Sequence, residues 1–280
     1  MKILAIGDFH GKFPEKLKQE AKKVDLILCT GDFADAEKIR KIIFKNWTEK
    51  PWYEVVGLKK AKKLEKESFE SGLKVLKELN SLNKKSCIIW GNTDFYKTTN
   101  SKKELSPGTY EDKVKKLKNI KIIERKKLKI NNLEIIGHGG YLDVTEYIKN
   151  PLHDDKEKQK ELIKRYKKST YQLTKLLQKT KPKKGFIFLI HYPPYGIFDK
   201  VKFKGSPMNN KNVGFQPYNE IIKKYQPSLV ICGHMHEYHG LKKAYNSTII
   251  SHGEANKGKA TIIEIDKNNK IKSIKLMKQL

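Results

Sequence analysis

Histidine, aspartate and asparagine residues recur along this chain in four short clusters, each directly after an apolar run, and one further histidine stands alone. Their ring nitrogens and carboxylate or amide oxygens, without any thiolate, suit divalent metals such as Mn²⁺, Fe²⁺ or Zn²⁺. The set is large enough to hold two ions, and two neighbouring metals are a recurring arrangement for phosphoryl transfer. The predicted metal ligands are Asp8, His10, Asp32, Asn92, His191, His234 and His236.

Predicted strands must carry these residues to one place. Ligands of open α/β sheets gather at the carboxyl ends of the strands, and each cluster follows a predicted strand. Asp8 and His10 lie two positions apart, so an extended chain would turn both to the same side. A glycine precedes Asp32, Asn92 and His234, and we expect it to let the backbone turn sharply beside the metals.

Short runs rich in Ile, Val and Leu alternate with longer Lys/Glu-rich segments, which predicts an α/β arrangement. The predicted strands are 2–7, 25–30, 86–90, 121–124, 127–130, 133–137, 185–190, 228–232, 240–245, 248–251, 260–265 and 271–277. The predicted helices are 14–22, 35–44, 59–82, 107–117, 154–180 and 217–225, with Pro14, Pro107 and Pro217 in first turns. Short polar turns join the last four strands, so we expect an antiparallel meander and a second sheet.

Length and composition limit the classes of protein to which this chain can belong. The 280 residues suit one large domain spanning 1–280. No stretch approaches the roughly 18 apolar residues of a membrane span, and the N-terminus reads directly into a strand without a signal peptide, so we expect a cytoplasmic protein without membrane contact. Cys29, Cys87 and Cys232 each lie in an apolar run and are predicted to be buried, reduced thiols.

The formal net charge of +29 leaves two interpretations open. A nucleic-acid partner would account for it, because binding phosphates requires cations. A solvated lysine surface is favoured, because only Arg40, Arg125 and Arg165 are arginines and arginine is the better partner for phosphate and base edges. Under either interpretation the field should attract a small anionic substrate. The oligomeric state is left open.

Two segments are predicted to lie near the site. Residues 33–82 are long for a single crossover and are interpreted as a helical insertion. Trp47, Pro51, Trp52 and Tyr53 form an irregular stretch there, which could close a surface insertion or form a lid. The loop 192–215 is expected to be one wall of the cleft. Its aromatic residues among lysines could stack a base and contact phosphate or simply pack the loop.

The ordered motifs Asp-x-His, Gly-Asp, Gly-Asn-x-Asp, His and Gly-His-x-His resemble the calcineurin-like metallophosphoesterase superfamily from residue 1 to about 253. Segments 191–196, 213–214 and 226–237 are similar to its Icc-related phosphoesterase branch, which is related to cyclic-nucleotide phosphodiesterases. The resemblance implies an α/β fold of four layers, a αββα sandwich of two mixed β-sheets. It also implies hydrolysis of a small phosphodiester or nucleotide-type phosphoester, with Mn²⁺ the ion most expected to work in vitro.

The resemblance also implies roles for the ligands. The first metal would be held by Asp8, His10, Asp32 and His236, and the second by Asp32, Asn92, His191 and His234. Asp32 would bridge the metals, and a bridging hydroxide would attack phosphorus in line. Asn92 is a catalytic candidate that could orient a phosphate oxygen, and Asp94 is expected to fix a histidine tautomer.

One position departs from the family pattern. Many members carry a histidine, the usual acid for the leaving group, where this chain has Thr93, whose hydroxyl is too weak an acid. His138, predicted in a glycine-rich turn, is the catalytic candidate that could replace it, and His252 is a second. His239 is expected to be structural or a rim contact, and His153 to open the following helix. A good leaving group would need no acid.

Three alternatives to a phosphodiesterase remain open. A DNA or RNA nuclease fits the charge but lacks arginine-rich patches and an obvious capping domain after the core. A phosphomonoesterase would differ in its monoester to diester rate ratio. A non-catalytic scaffold would bind metals without turnover, but the complete ligand set counts against it.

Overall fold

Two six-stranded sheets form the centre of the molecule, seen in a computed structural model that describes residues 1–47, 50–96, 103–150, 155–183 and 185–278. The strands are β1 (Lys2–Ile6), β2 (Leu26–Cys29), β3 (Ser86–Ile88), β4 (Ile120–Ile122), β5 (Lys126–Ile130), β6 (Leu133–His138), β7 (Ile187–Ile190), β8 (Leu229–Cys232), β9 (Gly240–Ala244), β10 (Ser247–Ser251), β11 (Ala260–Ile265) and β12 (Ile271–Met277). The first sheet has the order β12-β11-β1-β2-β3-β4, and the second β5-β6-β7-β8-β10-β9.

Both sheets are mixed. Strands β1 to β4 are parallel to one another, β11 pairs antiparallel with β1, and β12 pairs antiparallel with β11. Strands β6, β7, β8 and β10 are likewise parallel, with antiparallel β5 and β9 at the edges. The parallel strands bring many carboxyl ends to one edge, which is what the predicted site requires.

Alternate residues of each strand face the opposite sheet. Ile3 and Ala5 of β1 meet Leu189 of β7 and Ile231 of β8 in one apolar layer between the sheets. Leu4 and its alternate neighbours face the helices instead. Strands buried on both faces explain the continuous apolar runs in the sequence.

Helices cover the two outer faces. They are α1 (Glu15–Lys22), α2 (Glu37–Lys45), α3 (Trp52–Val56), α4 (Leu58–Ser81), α5 (Tyr110–Val114), α6 (Thr145–Lys149), α7 (Lys156–Thr180) and α8 (Gln216–Tyr225). Helices α1 and α4 pack on the first sheet through residues such as Leu17 and Leu76. Helices α7 and α8 pack on the second through Leu173 and Tyr218. The predicted four-layer αββα sandwich of two mixed sheets is confirmed.

The predicted meander of the last four strands is wrong. Strands β9 and β10 form a hairpin that joins the second sheet, because β10 pairs in parallel with β8. Strands β11 and β12 form a hairpin in the first sheet, against β1. Between the hairpins the chain crosses from one sheet to the other, and the Ala255 amide donates to the Gly7 carbonyl at 3.0 Å.

Several helix boundaries also differ from the prediction. Helix α5 begins at Tyr110 rather than near Pro107, because Gly108 has a φ of +118° that no helix continues through. The stretch expected to be irregular contains α3, and α6 was not predicted. His153 lies outside the described residues, so its expected role in opening α7 is not addressed.

The segment 33–82 contributes to the core as well as the surface. It carries α2, α3 and α4, and the last of these packs Val75, Leu76 and Leu79 onto the first sheet. Helix α4 is thus the crossover between β2 and β3. The interpretation of the segment as an insertion or a lid stays a prediction.

Two expectations from composition can be compared with the structure. Within the described ranges, no helix is long and apolar enough to cross a membrane. The three cysteines are buried and form no disulfide, as predicted.

Candidate metal centre

The structure brings all seven predicted ligands together at the carboxyl ends of the parallel strands. One group contains Asp8, His10, Asp32 and His236, and a second contains Asp32, His191 and His234. In each group the ligand atoms lie within 4.8 Å of one another. The seventh residue, Asn92, places its Oδ1 2.8 Å from both His191 Nε2 and His234 Nδ1. Asp32 belongs to both groups, as expected for a bridging carboxylate.

The backbone at four of these ligands is left-handed. Asp8, His10, Asp32 and His234 have φ values of 54°, 44°, 55° and 67°. The expectation of an extended chain at Asp8 and His10 is therefore wrong, although both residues do reach the site. Such φ values are uncommon outside glycine and cost about 1–3 kcal/mol each when strained. Their concentration at one site indicates that the surrounding structure holds them there.

Backbone hydrogen bonds supply that restraint. The Asp8 amide donates to the Gly31 carbonyl at 2.9 Å, and the amides of Phe9 and His10 donate to the Asp32 carbonyl at 2.8 and 3.0 Å. The segment after β1 is thereby bound along the segment after β2, so two of the motifs are tied directly to each other.

Glycine is required at the contact between the next two motifs. A Cβ on Gly31 would lie 2.0 Å from the Gly91 nitrogen, and a Cβ on Gly91 would lie 2.0 Å from Asp32 Oδ1. Only bare backbone lets these segments approach so closely. The glycines before the ligands therefore serve close approach as much as turning.

Asp94 organises the backbone rather than a histidine, which corrects its expected role. Its carboxylate accepts the amides of Asp32, Phe33 and Gly91, each at 2.8 Å. This ties the segment after β2 to the segment after β3. Burial, together with the charge of Asp32, raises the pKa of Asp94 to about 7.

Thr93 holds Asp32 in place. Its hydroxyl and its amide both donate to Asp32 Oδ1, at 2.8 and 3.0 Å. The hydroxyl proton therefore points at a predicted metal ligand. Charge-assisted bonds of this kind are strong and directional, so Thr93 is a positioning residue in this geometry.

The pKa values of the two carboxylates at the centre, Asp8 and Asp32, are shifted from their ordinary values. Burial and the neighbouring charge of Asp32 raise the pKa of Asp8 well above its ordinary value. Burial also acts to raise the pKa of Asp32, but His191, His10 and the Thr93 amide outweigh it, and the net shift is downward. The pKa values of the two carboxylates are therefore shifted in opposite directions.

Three of the histidines, His191, His234 and His236, are shifted toward the neutral form, mainly by burial. Burial, with His191 nearby, lowers the pKa of His234 to about 3. The pKa of His191 is lowered for the same main reason, and that of His236 is lowered by burial and by His10. Metal ligation requires a neutral imidazole, so the site favours the form that binds metal.

The hydrogen bonds of His191 fix its tautomer. Its Nδ1 lies 2.9 Å from the Thr30 carbonyl and must donate to it. The lone pair is then on Nε2, which points at the Asn92 oxygen. Two acceptors 2.8 Å apart repel each other unless a cation lies between them. His10 Nε2 and His236 Nε2 lie 2.9 Å apart, close enough for both to bind one ion. These residues fit two divalent ions.

The two histidines considered as acids lie elsewhere. His138 is the last residue of β6, not part of a turn. It is fully buried, with Nδ1 2.7 Å from the Tyr218 hydroxyl of α8. Burial lowers its pKa to about 3. Successive residues of a strand point to opposite faces of its sheet. Gly137 faces the first sheet, so the side chain of His138 faces the helices. Its catalytic role stays a prediction that this geometry does not favour.

His252 lies between the sheets with both ring nitrogens in use. Its Nδ1 donates to the Gly253 carbonyl and its Nε2 accepts from the Thr30 hydroxyl, each at 2.6 Å. Burial lowers its pKa to about 3. His239 lies 3.2 Å from the Ala260 carbonyl, which is a structural contact.

Three residues support the centre in ways that sequence reasoning missed, although Tyr192 was expected in the wall of the cleft. Glu254 is buried and places Oε1 3.9 Å from His236 Nδ1 while pairing with Lys257. Thr30 directs His191, and the ring of Tyr192 lies 4.1 Å from that of His234. Thr30 and Tyr192 adjoin predicted ligands and could have been noticed. Glu254 carries no local signal, because it reaches the site only through the crossing between the hairpins.

Comparison with known proteins agrees with this geometry. The chain belongs to the calcineurin superfamily of metallophosphoesterases, whose family model matches residues 1–276. An uncharacterized protein of Methanocaldococcus jannaschii, MJ1162, is 23% identical over 256 residues, which cover 90% of this chain and 87% of that protein.

Solved structures show the same fold. One crystal structure has a TM-score of 0.66 at 20% identity, covering 99% of this chain and 98% of its own. A dimetal phosphatase of Danio rerio has a TM-score of 0.53 at 10% identity, covering 95% and 93%. Family membership and the clustered ligands together define a metal-dependent phosphoester hydrolase with a dimetal site.

Proposed function

We propose that this chain hydrolyses a small phosphodiester or nucleotide-type phosphoester, with Mn²⁺ as the ion to use in vitro. The observation that carries the proposal is Thr93. It stands where many family members have a histidine that acts as general acid, and its hydroxyl donates to Asp32 at 2.8 Å. The choice of substrate follows from how the leaving group can depart.

Neither of the other candidates is placed to protonate a leaving group. His138 is buried against Tyr218, and His252 has both nitrogens committed to Gly253 and Thr30. General acid catalysis is typically worth about 10²–10⁴-fold. Without it, the metals alone would stabilise the departing oxygen, so we expect esters with a weakly basic leaving group, such as aryl phosphodiesters, to react faster than esters of sugar or simple alkyl hydroxyls.

Metal binding, orientation of the phosphate and positioning of the ligands are assigned to different residues. Asp8, His10, Asp32 and His236 would hold one ion, and Asp32, Asn92, His191 and His234 the other. Divalent metals at such a site activate water and neutralise charge on phosphate. Asn92 would also orient a phosphate oxygen, while Thr93 and Asp94 keep Asp32 and the segments around it in position.

The test is an assay of purified protein with Mn²⁺ on bis-p-nitrophenyl phosphate and p-nitrophenyl phosphate. We expect faster turnover of the diester and two metals per chain by elemental analysis. An Asp32→Asn variant should lose both metal and turnover. Turnover of the monoester alone would identify a phosphomonoesterase instead.

Two further results would replace the proposal. Salt-sensitive DNA binding with strand cleavage would identify a nuclease. Full metal loading without turnover of either ester would leave a scaffold or an enzyme of narrow specificity.

A further inference from the structure

A basic and aromatic cavity lies between α2 and the loop 192–215. It has a volume of about 260 Å³. Pockets for drug-sized ligands span about 300–1,000 Å³, so this one suits part of a ligand, such as a ring with its phosphate. Its main lining residues are Glu37, Arg40, Lys41, Phe44, Lys45 and Phe203.

Each wall of the cavity belongs to a segment that begins shortly after a predicted metal ligand. Helix α2 begins five residues after Asp32, and the loop begins directly after His191. The Lys202 amide donates to Glu237 Oε1 at 3.0 Å, so the loop segment before Phe203 is held against the motif that carries His236. A Cβ on Gly11, the residue after His10, would lie 3.0 Å from the Cβ of Asp35, two residues before α2. Both walls of the cavity therefore adjoin segments that carry predicted metal ligands.

The charge of the cavity is positive. Glu37 is its one acid and is already paired with Arg40 and with Lys41, the latter at 3.5 Å. Three cations and one carboxylate leave a net charge of +2. Arg40 is also one of only three arginines. Among the contacts of the described residues, Arg40 is paired only with Glu37, inside the cavity, whereas Arg165 is held by Asp143 at 3.0 Å and Arg125 by Gln172 at 2.8 Å, away from it.

An aromatic surface borders these charges. The side chain of Phe203 is 56% exposed, which is unusual for so large an apolar group, and it lies over Gly205. Phe44 is half-buried on the opposite wall, with its ring 6.2 Å from that of Trp47. An exposed ring beside an arginine offers stacking for a base together with a bidentate contact for phosphate.

We propose that this cavity binds the distal nucleotide of the substrate, with its base on Phe203 and its terminal phosphate on Arg40. The inference rests on the proposed function and makes it narrower, because it requires a phosphodiester that carries a second phosphate away from the bond that breaks. Arg40, Lys41 and Phe203 become determinants of specificity, and α2 becomes a wall of the substrate site.

The experiment compares two dinucleotides that differ by one group, pApA and ApA, with bis-p-nitrophenyl phosphate as a reference that lacks a distal nucleotide. For the unaltered protein we expect kcat/KM for pApA to exceed that for ApA by about tenfold or more, as for a charge-assisted contact. Arg40→Gln should reduce this ratio below about threefold. Using the ratio cancels any effect of Arg40 on the metals themselves.

A matched control lies on the same helix. Lys38 pairs with Glu67 at 2.9 Å and does not line the cavity, so Lys38→Gln removes one positive charge and should keep the full ratio. Phe203→Ala should lower kcat/KM for both dinucleotides by about fivefold or more relative to the reference ester, as loss of base stacking predicts.

The outcomes separate this inference from the proposed function. Equal kcat/KM for pApA and ApA, with turnover of the reference ester intact, would overturn the inference alone. If no ester is hydrolysed, calorimetric binding of the two dinucleotides to the Mn²⁺-loaded protein replaces the kinetics. Tighter binding of pApA that requires Arg40 would then support the inference although the function fails, and equal binding would overturn both.

Discussion

The two ends of the sandwich differ in what their polar residues do. At the carboxyl ends of the parallel strands, six polar side chains meet around Asp32 in a cluster of buried and half-buried residues. The opposite end has the larger cavity, about 540 Å³, lined by residues such as Lys129, Asn132 and Lys183. Within the described part of the chain, no comparable group of ligands occurs there. Cavity size alone therefore does not mark the chemistry, and we assign the site by its donor set.

Backbone conformation shows the same contrast. At the far end Asn131 and Asn269 have positive φ in the turns that follow β5 and precede β12. Asparagine adopts this conformation at little cost. At the metal end the same conformation occurs in Asp8, His10 and Asp32, within a network of backbone bonds. The metal end differs because its left-handed residues are themselves predicted ligands, whereas at the far end the conformation occurs in turns and helix ends such as Lys181 and Gln226.

The largest expected effect comes from Asp32→Asn. The amide loses the negative charge shared by both metal groups, so we expect turnover of bis-p-nitrophenyl phosphate to fall by about 10³-fold or more. Metal content should fall in parallel. Asp266→Asn is the matched change at the far end, in the turn before β12, and should leave turnover within about twofold because it touches no ligand. Full activity in Asp32→Asn would contradict the assignment of the centre.

Asp94→Asn should have the next largest effect. Its carboxylate accepts three backbone amides that join the segments carrying Asp32 and Asn92. An amide side chain has only one acceptor oxygen, so these segments loosen. We expect turnover to fall by about 10–100-fold, the usual effect of residues that orient metal ligands. If metal affinity and turnover were both unchanged, the segments would be held by other contacts.

The cluster of Asp, His and Asn side chains was predictable because each of these residues follows a strand end in an ordered motif. The prediction of a meander was wrong because the local sequence pattern of a hairpin does not specify which sheet it joins. Long-range pairing with β1 and β8 places the two hairpins in different sheets. The direction of His138 was readable from alternation along β6. Glu254 was not readable, because the crossing between the sheets brings it to His236 from a segment without a motif.

His138→Phe separates a packing role from a catalytic one. The structure places the ring against Tyr218, on the helix-facing side of the second sheet. Loss of that hydrogen bond should cost about 1–2 kcal/mol in the free energy of unfolding, while kcat stays within about threefold. A general acid would instead contribute about 10²–10⁴-fold to the rate. Urea denaturation and the reference ester assay give both values, and a rate loss of that size would restore His138 as the acid.

The smallest expected effect is at the far cavity, and it tests the comparison itself. Lys129→Gln with Lys183→Gln removes two positive charges from the larger cavity, as Arg40→Gln removes one from the smaller. If substrate recognition belongs to the metal end, the double variant keeps kcat/KM for pApA within about twofold, since surface changes away from a site are nearly neutral. A loss that matches or exceeds that of Arg40→Gln would mean that the field of the whole protein, rather than one cavity, attracts the substrate. Raising the salt concentration distinguishes these cases, because long-range attraction is screened over about 8 Å at physiological ionic strength whereas a direct contact persists.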